Sequence, residues 1–304
     1  MPPTAASEAY NQLISHLHPT TPRVLEIDIL PSSHGSQIQF SKTDAALGIP
    51  KPVLVQCFLQ ARNRYFAAPL AQIDETRWHA TSLILLLDPN HTTAINFRKR
   101  YLLAHSPTLP SRPKLSYADK AIGNLVEHEL HFLESLLTSP MRKHNKSPTL
   151  FTHRLWILRT FIMPFFSQDI TPSRGVKSST WKIWERELNI VMLAGGKHLA
   201  NYYAWNYARD VLVLLESFMD GCSQQMDMAE SSLEMIKQWC FQHPRDVSGW
   251  TFLVWLIERV SGSSSRLGIV RGLLVDVDKW KCTMQWEGAA VDAFVKLTRI
   301  VDKV

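Results

Sequence analysis

From residue 53 onward, apolar positions recur at three- and four-residue spacing, and runs of that spacing are separated by Pro, Gly and Ser. Apolar residues at i, i+3, i+4 and i+7 share one face of an α-helix, so the pattern predicts amphipathic helices between breakers. The expected helices are 53–68, 70–87, 92–105, 117–138, 149–166, 180–194, 202–219, 226–241, 248–261, 267–280 and 285–302. The breakers are explicit. Ser106 to Lys114 holds three prolines, Ser167 to Thr180 holds Pro172 and Gly175, and Gly195-Gly196, Pro244 and Ser261 to Ser265 punctuate the rest.

The first 52 residues read differently. Ser7 to His18 fits a short helix with Ser7 as its cap. Val24 to Leu30 alternates apolar and polar and stops at Pro31, which fits a short strand or an extended arm. Pro31 to Lys51, rich in Ser, Gly and Pro, reads as loop. The expected organisation is an N-terminal arm over 1–52 and a helical-repeat region over 53–304. Paired helices with short links point to an all-α fold.

Four segments share an outline: Pro89-Asn-His-Thr-Thr-Ala-Ile95-Asn-Phe-Arg98, Asn145-Lys-Ser-Pro-Thr-Leu-Phe151-Thr-His-Arg154, Leu199-Ala-Asn-Tyr-Tyr-Ala-Trp205-Asn-Tyr-Ala-Arg209, and Pro244-Arg-Asp-Val-Ser-Gly-Trp250-Thr-Phe-Leu253. Each starts at a helix breaker and sets a large apolar residue six positions later, followed by an apolar stripe. Hairpins of this kind leave apolar surface that only a neighbouring hairpin covers, so they stack into a solenoid. The anchors Ile95, Phe151, Trp205 and Trp250 lie 56, 54 and 45 residues apart, an irregular period for such an array.

Composition changes this picture little. Hydrophobic residues make up 45 % and charged residues 20 %, and ten Trp with thirteen Phe supply large core or interface anchors. The net charge of +6 suits an anionic ligand or an acidic partner as well as an ordinary solvated surface. It gives little support to nucleic-acid binding, because no regular two-residue code runs through the repeats. Cys57, Cys222, Cys240 and Cys282 form no C-x-x-C pair, so all four are expected to be reduced and mostly buried, as in a cytoplasmic protein, with no metal site. Neither a signal peptide, a membrane span nor a C-terminal prenylation box is expected.

Other apparent motifs are weak. His128-Glu-Leu-His131 is one residue short of the spacing that sets two metal ligands on one helical face, so it reads as a solvated or half-buried helix face. Gly195-Gly-Lys197 lacks the flanking residues of a phosphate-binding loop. No constellation in the chain performs chemistry alone.

The four segments resemble the repeat of protein prenyltransferase α subunits, which reads approximately Pro-x-Asn-Tyr-x-x-Trp-x-x-Arg-Arg. Asn201-Tyr202-Tyr-Ala-Trp205 matches it well. Lys146 and His153-Arg154 match positions of the second copy. Leu25-Glu-Ile-Asp-Ile-Leu-Pro31 and Leu83 to Lys99 are similar to a divergent branch of that family, associated with a third kind of geranylgeranyltransferase. The resemblance covers roughly residues 24 to 258.

The resemblance implies an α-α superhelix, a right-handed crescent of hairpins around a β subunit of the type used for Rab proteins. That β subunit carries the catalytic zinc, and this chain carries no cofactor of its own. The implied ligands are geranylgeranyl diphosphate and protein substrates with a C-terminal cysteine, and the chain is not active alone. Lys146 aligns with a family lysine that reaches the diphosphate, and Tyr202 with a tyrosine lining the same mouth; Arg209 is placed with them as a diphosphate contact. Arg98, His153, Arg154, Asn201, Trp205 and Trp250 match the repeat outline, and are expected in hairpin packing and the β-subunit interface. Pro148 stands where the family often has a second tyrosine. A scaffold that binds proteins without catalysis is the alternative, favoured by Ile95 and Phe151 in place of Trp.

Overall fold

The computed structural model describes residues 5–67, 69, 71–105, 117–166, 179–218, 222–260 and 264–301. The chain is all-α, with a short non-helical stretch near its N-terminus. It forms two compact units, Met1–Ile162 and Met163–Val304. No helix among the described residues is long and apolar enough to cross a membrane.

The first unit opens with α1 (Ala5–Leu17), followed by strands β1 (Glu26–Leu30), β2 (Gln39–Ser41) and β3 (Ala46–Pro50). The sheet order is β1-β3-β2, with β3 parallel to β1 and antiparallel to β2. Ile27, Leu47 and Ile49 alternate into the core while Glu26 and Asp28 face outward, the period-two arrangement of a half-buried sheet. The stretch read as loop therefore holds two strands. Gly48 and Pro50, poor strand formers, disguised β3, but Gly48 faces Leu30, which stands where a Cβ would sit. Leu25 N–H donates to Ser135 Oγ at 2.8 Å, which ties the entry to β1 onto α5 (Tyr117–Leu137).

α2 (Lys51–Ala67), α3 (Glu75–Leu87) and α4 (Thr92–His105) follow, and after α5 come the single turn α6 (Arg142–Asn145) and α7 (Pro148–Ile157). α3 starts five residues later than expected. Asp74 accepts the Arg77 N–H at 2.8 Å and caps the helix there. Arg77, fully buried, holds the preceding turn by donating to the carbonyls of Pro69 and Gln72. α7 passes into a π-helical turn, Leu158–Ile162, and then into α8 (Met163–Phe166). Pro164 has no N–H for an ordinary helical bond, and the wider turn just before it is one way a helix accommodates that loss.

Three imidazoles are drawn into this unit, His144 and His153 buried and His18 half-buried. His18 pairs with Ser82 Oγ at 2.8 Å, His144 Nε2 donates to the Leu85 carbonyl at 3.1 Å, and His153 pairs with Glu129. Burial pushes all three pKa values down, His144 to about 4; the Arg98 charge adds to this at His18, while the hydrogen-bond partners of His144 and His153 oppose it less strongly. Their folded values lie below the unfolded one, so protons bind the unfolded chain first. Stability is then full above about pH 6.5 and falls as pH drops through that value, by about 1.4 kcal/mol per pH unit for each group that stays neutral. Urea unfolding at pH 7.5, 6.0 and 5.0 is expected to show a steady loss; a flat profile would contradict the buried neutral imidazoles.

The second unit begins at α8 and goes on with α9 (Ser179–Lys197), α10 (Tyr202–Glu216), α11 (Cys222–Gln242), α12 (Val247–Val260), α13 (Ser264–Met284) and α14 (Ala289–Val301). Its core is aromatic. Trp205 sits against Trp239 and Phe252 at 4.9 and 5.0 Å between ring centroids, and Trp250 against Phe294 at 4.9 Å. Gly195-Gly196, read as a breaker, lies inside α9. A Cβ on Gly195 would stand 2.9 Å from the Trp239 ring, and one on Gly249 only 2.4 Å, so these glycines admit an indole rather than end a helix. Cys57 and Cys240 are buried as expected, but Cys282 is exposed; the Cys222 side chain lies outside the described residues.

Candidate functional site

The four repeat segments share one local geometry. His91, Ser147, Asn201 and Asp246 each stand just before a helix, and each side chain accepts the N–H three residues on, from Ala94, Leu150, Ala204 and Gly249. Four residues after each cap comes the anchor, Ile95, Phe151, Trp205 or Trp250, and all four are buried. Two caps also reach the neighbouring turn within their unit. Ser147 Oγ donates to Asn90 Oδ1 at 2.7 Å, and Asp246 Oδ2 accepts the N–H of Ala200, a left-handed residue, at 2.7 Å.

Lys146 lies at the C-terminal end of α6, immediately before the Ser147 cap of α7. It is half-buried, and its N–H closes the α6 turn onto the Arg142 carbonyl at 3.1 Å. The expected position beside a helix N-terminus is therefore present. Pro148 occupies the first turn of α7, where its missing N–H does no harm.

Tyr202 opens α10 and is 60 % exposed. Arg209 lies seven residues along, on the same helical face. Tyr202 is close enough to influence its ionisation: half-burial pulls the Arg209 pKa down, while Tyr202 and Asp210 act the other way. Arg209 Nη1 donates to Asn206 Oδ1 at 2.6 Å, and the guanidinium lies over the rings of Phe252 and Trp255 on α12. Among the described residues no carboxylate forms an ion pair with Arg209. Two sequence-expected diphosphate contacts thus share one face of the second unit, while Lys146 belongs to the first unit. Hollows of about 440, 450 and 410 Å³ open on the units, and none of these is lined by Lys146, Tyr202 or Arg209.

The residues expected in repeat packing are packed. Asn201 caps α10, and Trp205 and Trp250 fill the second core. Arg98 is fully buried: Nε donates to Glu129 Oε1 at 2.7 Å, Nη2 pairs with Glu129 Oε2, and Nη1 donates to Thr81 and Ser82. His153 Nε2 donates to the same Glu129 oxygen at 2.9 Å. Arg154 Nη1 donates to the Leu130 carbonyl at 2.7 Å. All six of these side chains are buried inside this chain.

Sequence reading missed Glu129. The His128-Glu-Leu-His131 stretch reads as a solvated or half-buried helix face, and His128 and His131 are half-buried, but Glu129 between them is 1 % exposed. Burial pushes its pKa up, yet the charge and hydrogen bonds of Arg98 and the bond from His153 outweigh that and hold it at about 2. Glu187 plays a comparable part in α9, accepting from the Tyr207 hydroxyl at 2.6 Å. The signal was present: Val126, Leu130 and Leu133 surround Glu129 at helical spacing, as Trp184, Leu188 and Val191 surround Glu187. An acid inside an apolar stripe calls for a buried partner. Among the described residues no group of three or more His, Cys, Asp or Glu is placed to hold a metal ion.

Comparison with known proteins agrees with the resemblance. A family model described as the ECM9 middle domain matches residues 172–268. Protein prenyltransferase alpha subunit repeat-containing protein 1 of Homo sapiens is 27 % identical over 182 residues, 59 % of this chain and 39 % of the relative. Its Danio rerio counterpart is 25 % identical over 186 residues, 60 % of this chain and 37 % of the relative. Protein ECM9 of Saccharomyces cerevisiae is 23 % identical over 201 residues, 64 % of this chain and 43 % of the relative. The matches thus span about two fifths of the length of these relatives. On repeat outline, helical architecture and relatives together, the chain is similar to the proteins named for the prenyltransferase α-subunit repeat.

Proposed function

We propose that this chain is the α, non-zinc subunit of a protein prenyltransferase heterodimer that transfers a geranylgeranyl group to cysteine. The observation that carries the reading is the α10 face. Tyr202 is exposed there beside Arg209, a half-buried guanidinium with no carboxylate pair among the described residues. Such a cation suits an anionic ligand. Geranylgeranyl diphosphate is that ligand in this reading, with a Rab geranylgeranyltransferase-type β subunit supplying the zinc and most of the isoprenoid pocket. As the allylic C–O bond breaks, charge grows on the departing diphosphate, so a fixed cation stabilises the transition state more than the ground state. Lys146, beside the α7 N-terminus, is proposed as a further cation of this kind.

Affinity purification of the full chain tests the pairing; a folded chain that captures no barrel-type β subunit defeats it. Within the purified pair, Lys146→Ala is expected to lower turnover at least tenfold while leaving assembly intact. Unchanged turnover would remove Lys146 from the reaction.

The non-catalytic scaffold is the second reading. It draws on Ile95 and Phe151 at the anchor positions and on Pro148, each a departure from the repeat. Stable pairing without prenyl transfer would favour it.

A further inference from the structure

On α12, Phe252, Trp255 and Arg259 follow one another at helical spacing, alongside the α10 face that carries Tyr202, Asn206, Arg209 and Glu216. The two stripes interlock. The Arg209 guanidinium lies 5.7 Å from the Phe252 ring centre and 5.8 Å from that of Trp255. Arg259 covers Trp255 at 4.8 Å and forms an ion pair with Glu216, its Nε donating to Glu216 Oε1 at 3.3 Å. Trp255 is half-buried within reach of both cations, and its ring stacks on Phe252 at 5.4 Å.

We propose that Trp255 is a positioning residue for Arg209, fixing its guanidinium on the α10–α12 face so that it can bind a diphosphate. This rests on the reading of Tyr202 and Arg209 given above. A free arginine side chain samples many rotamers, and a ligand that must order it binds more weakly. An aromatic face restrains the guanidinium without consuming its N–H donors, unlike a carboxylate, which would neutralise it. Asn206 takes one donor on Nη1. The Arg209 side chain is only half-buried, so the guanidinium is not sealed from a ligand. The Arg259 guanidinium, paired with Glu216, lies over Trp255 as well and helps to hold that ring in place.

Inorganic pyrophosphate, titrated calorimetrically into the full chain, is the probe. Trp255→Leu is expected to weaken its binding about tenfold, Trp255→Phe by less than about threefold, and Arg209→Ala at least as much as Trp255→Leu. Thermal midpoints show whether each variant is folded. Rescue by the second aromatic ring separates positioning from bulk. If Trp255→Leu binds like the wild type while Arg209→Ala does not, the positioning role fails and the diphosphate reading stands. If Arg209→Ala has no effect, or the wild-type chain binds no pyrophosphate, both fail. Should Trp255→Leu not fold, the wild-type NMR spectrum decides: the Arg209 side-chain protons are expected upfield from ring currents, and unshifted protons overturn the proposal.

Discussion

Glu129→Ala is expected to destabilise the first unit by about 3–5 kcal/mol, enough to shift or abolish its cooperative unfolding transition. The carboxylate has no solvent exposure and answers both the Arg98 guanidinium and the His153 imidazole. Removing it leaves a buried cation with only hydroxyl and carbonyl partners, from Thr81, Ser82 and Trp78, and the aromatic faces of Trp78 and Phe132. Breaking one side of a buried pair is far more harmful than replacing both, so Arg98→Met with Glu129→Leu is expected to lose less than Glu129→Ala alone. The carboxylate pKa of about 2 adds a pH signature. It lies below the unfolded value, so the stabilisation is full above about pH 4.5 and disappears as pH falls from there toward about 2. Urea midpoints of the three chains decide the matter; a Glu129→Ala loss below about 1 kcal/mol would mean the pair contributes little.

Trp205→Ala is expected to cost the second unit a similar amount, about 3–5 kcal/mol. The indole is fully buried, between Trp239 and Phe252 and close to Gly195 and Gly249. The backbone of two glycines cannot expand to refill the space, so a cavity remains. Its Nε1 has no hydrogen-bond partner among the described residues, so Trp205→Phe, which deletes that buried donor, is expected to lose much less. Hydrogen exchange should show protection falling first in α9 to α12; uniform protection in Trp205→Ala would contradict the packing described.

Helix periodicity carried most of the fold because the helices are long and their breakers strong. The helix expected over 92–105 has those bounds, and the one over 117–138 ends one residue early. The sheet was hidden because Leu47-Gly-Ile-Pro50 mixes strand alternation with two residues that usually interrupt strands. Capping and anchoring were legible because they are local. The Arg98–Glu129–His153 network was not, since its members lie 31 and 24 residues apart and only packing brings them together. Tyr202 and Arg209 came into view through the family outline; what holds Arg209 lies on α12, a helix away.

The caps have one more consequence. Ser147 and Asp246 fasten the turn at the head of one hairpin to that of the hairpin before it, while the chain between hairpins varies in length: His105 to Tyr117, Phe166 to Ser179, and the shorter Glu216 to Cys222. Phase is therefore reset at these two caps and is not carried by residue count. A search for self-similarity at a fixed interval loses this signal, whereas superposing the segments from their capping residues restores it. Insertions between hairpins leave that phase untouched, so the spacing of the anchors can vary while each cap keeps its own anchor four residues on.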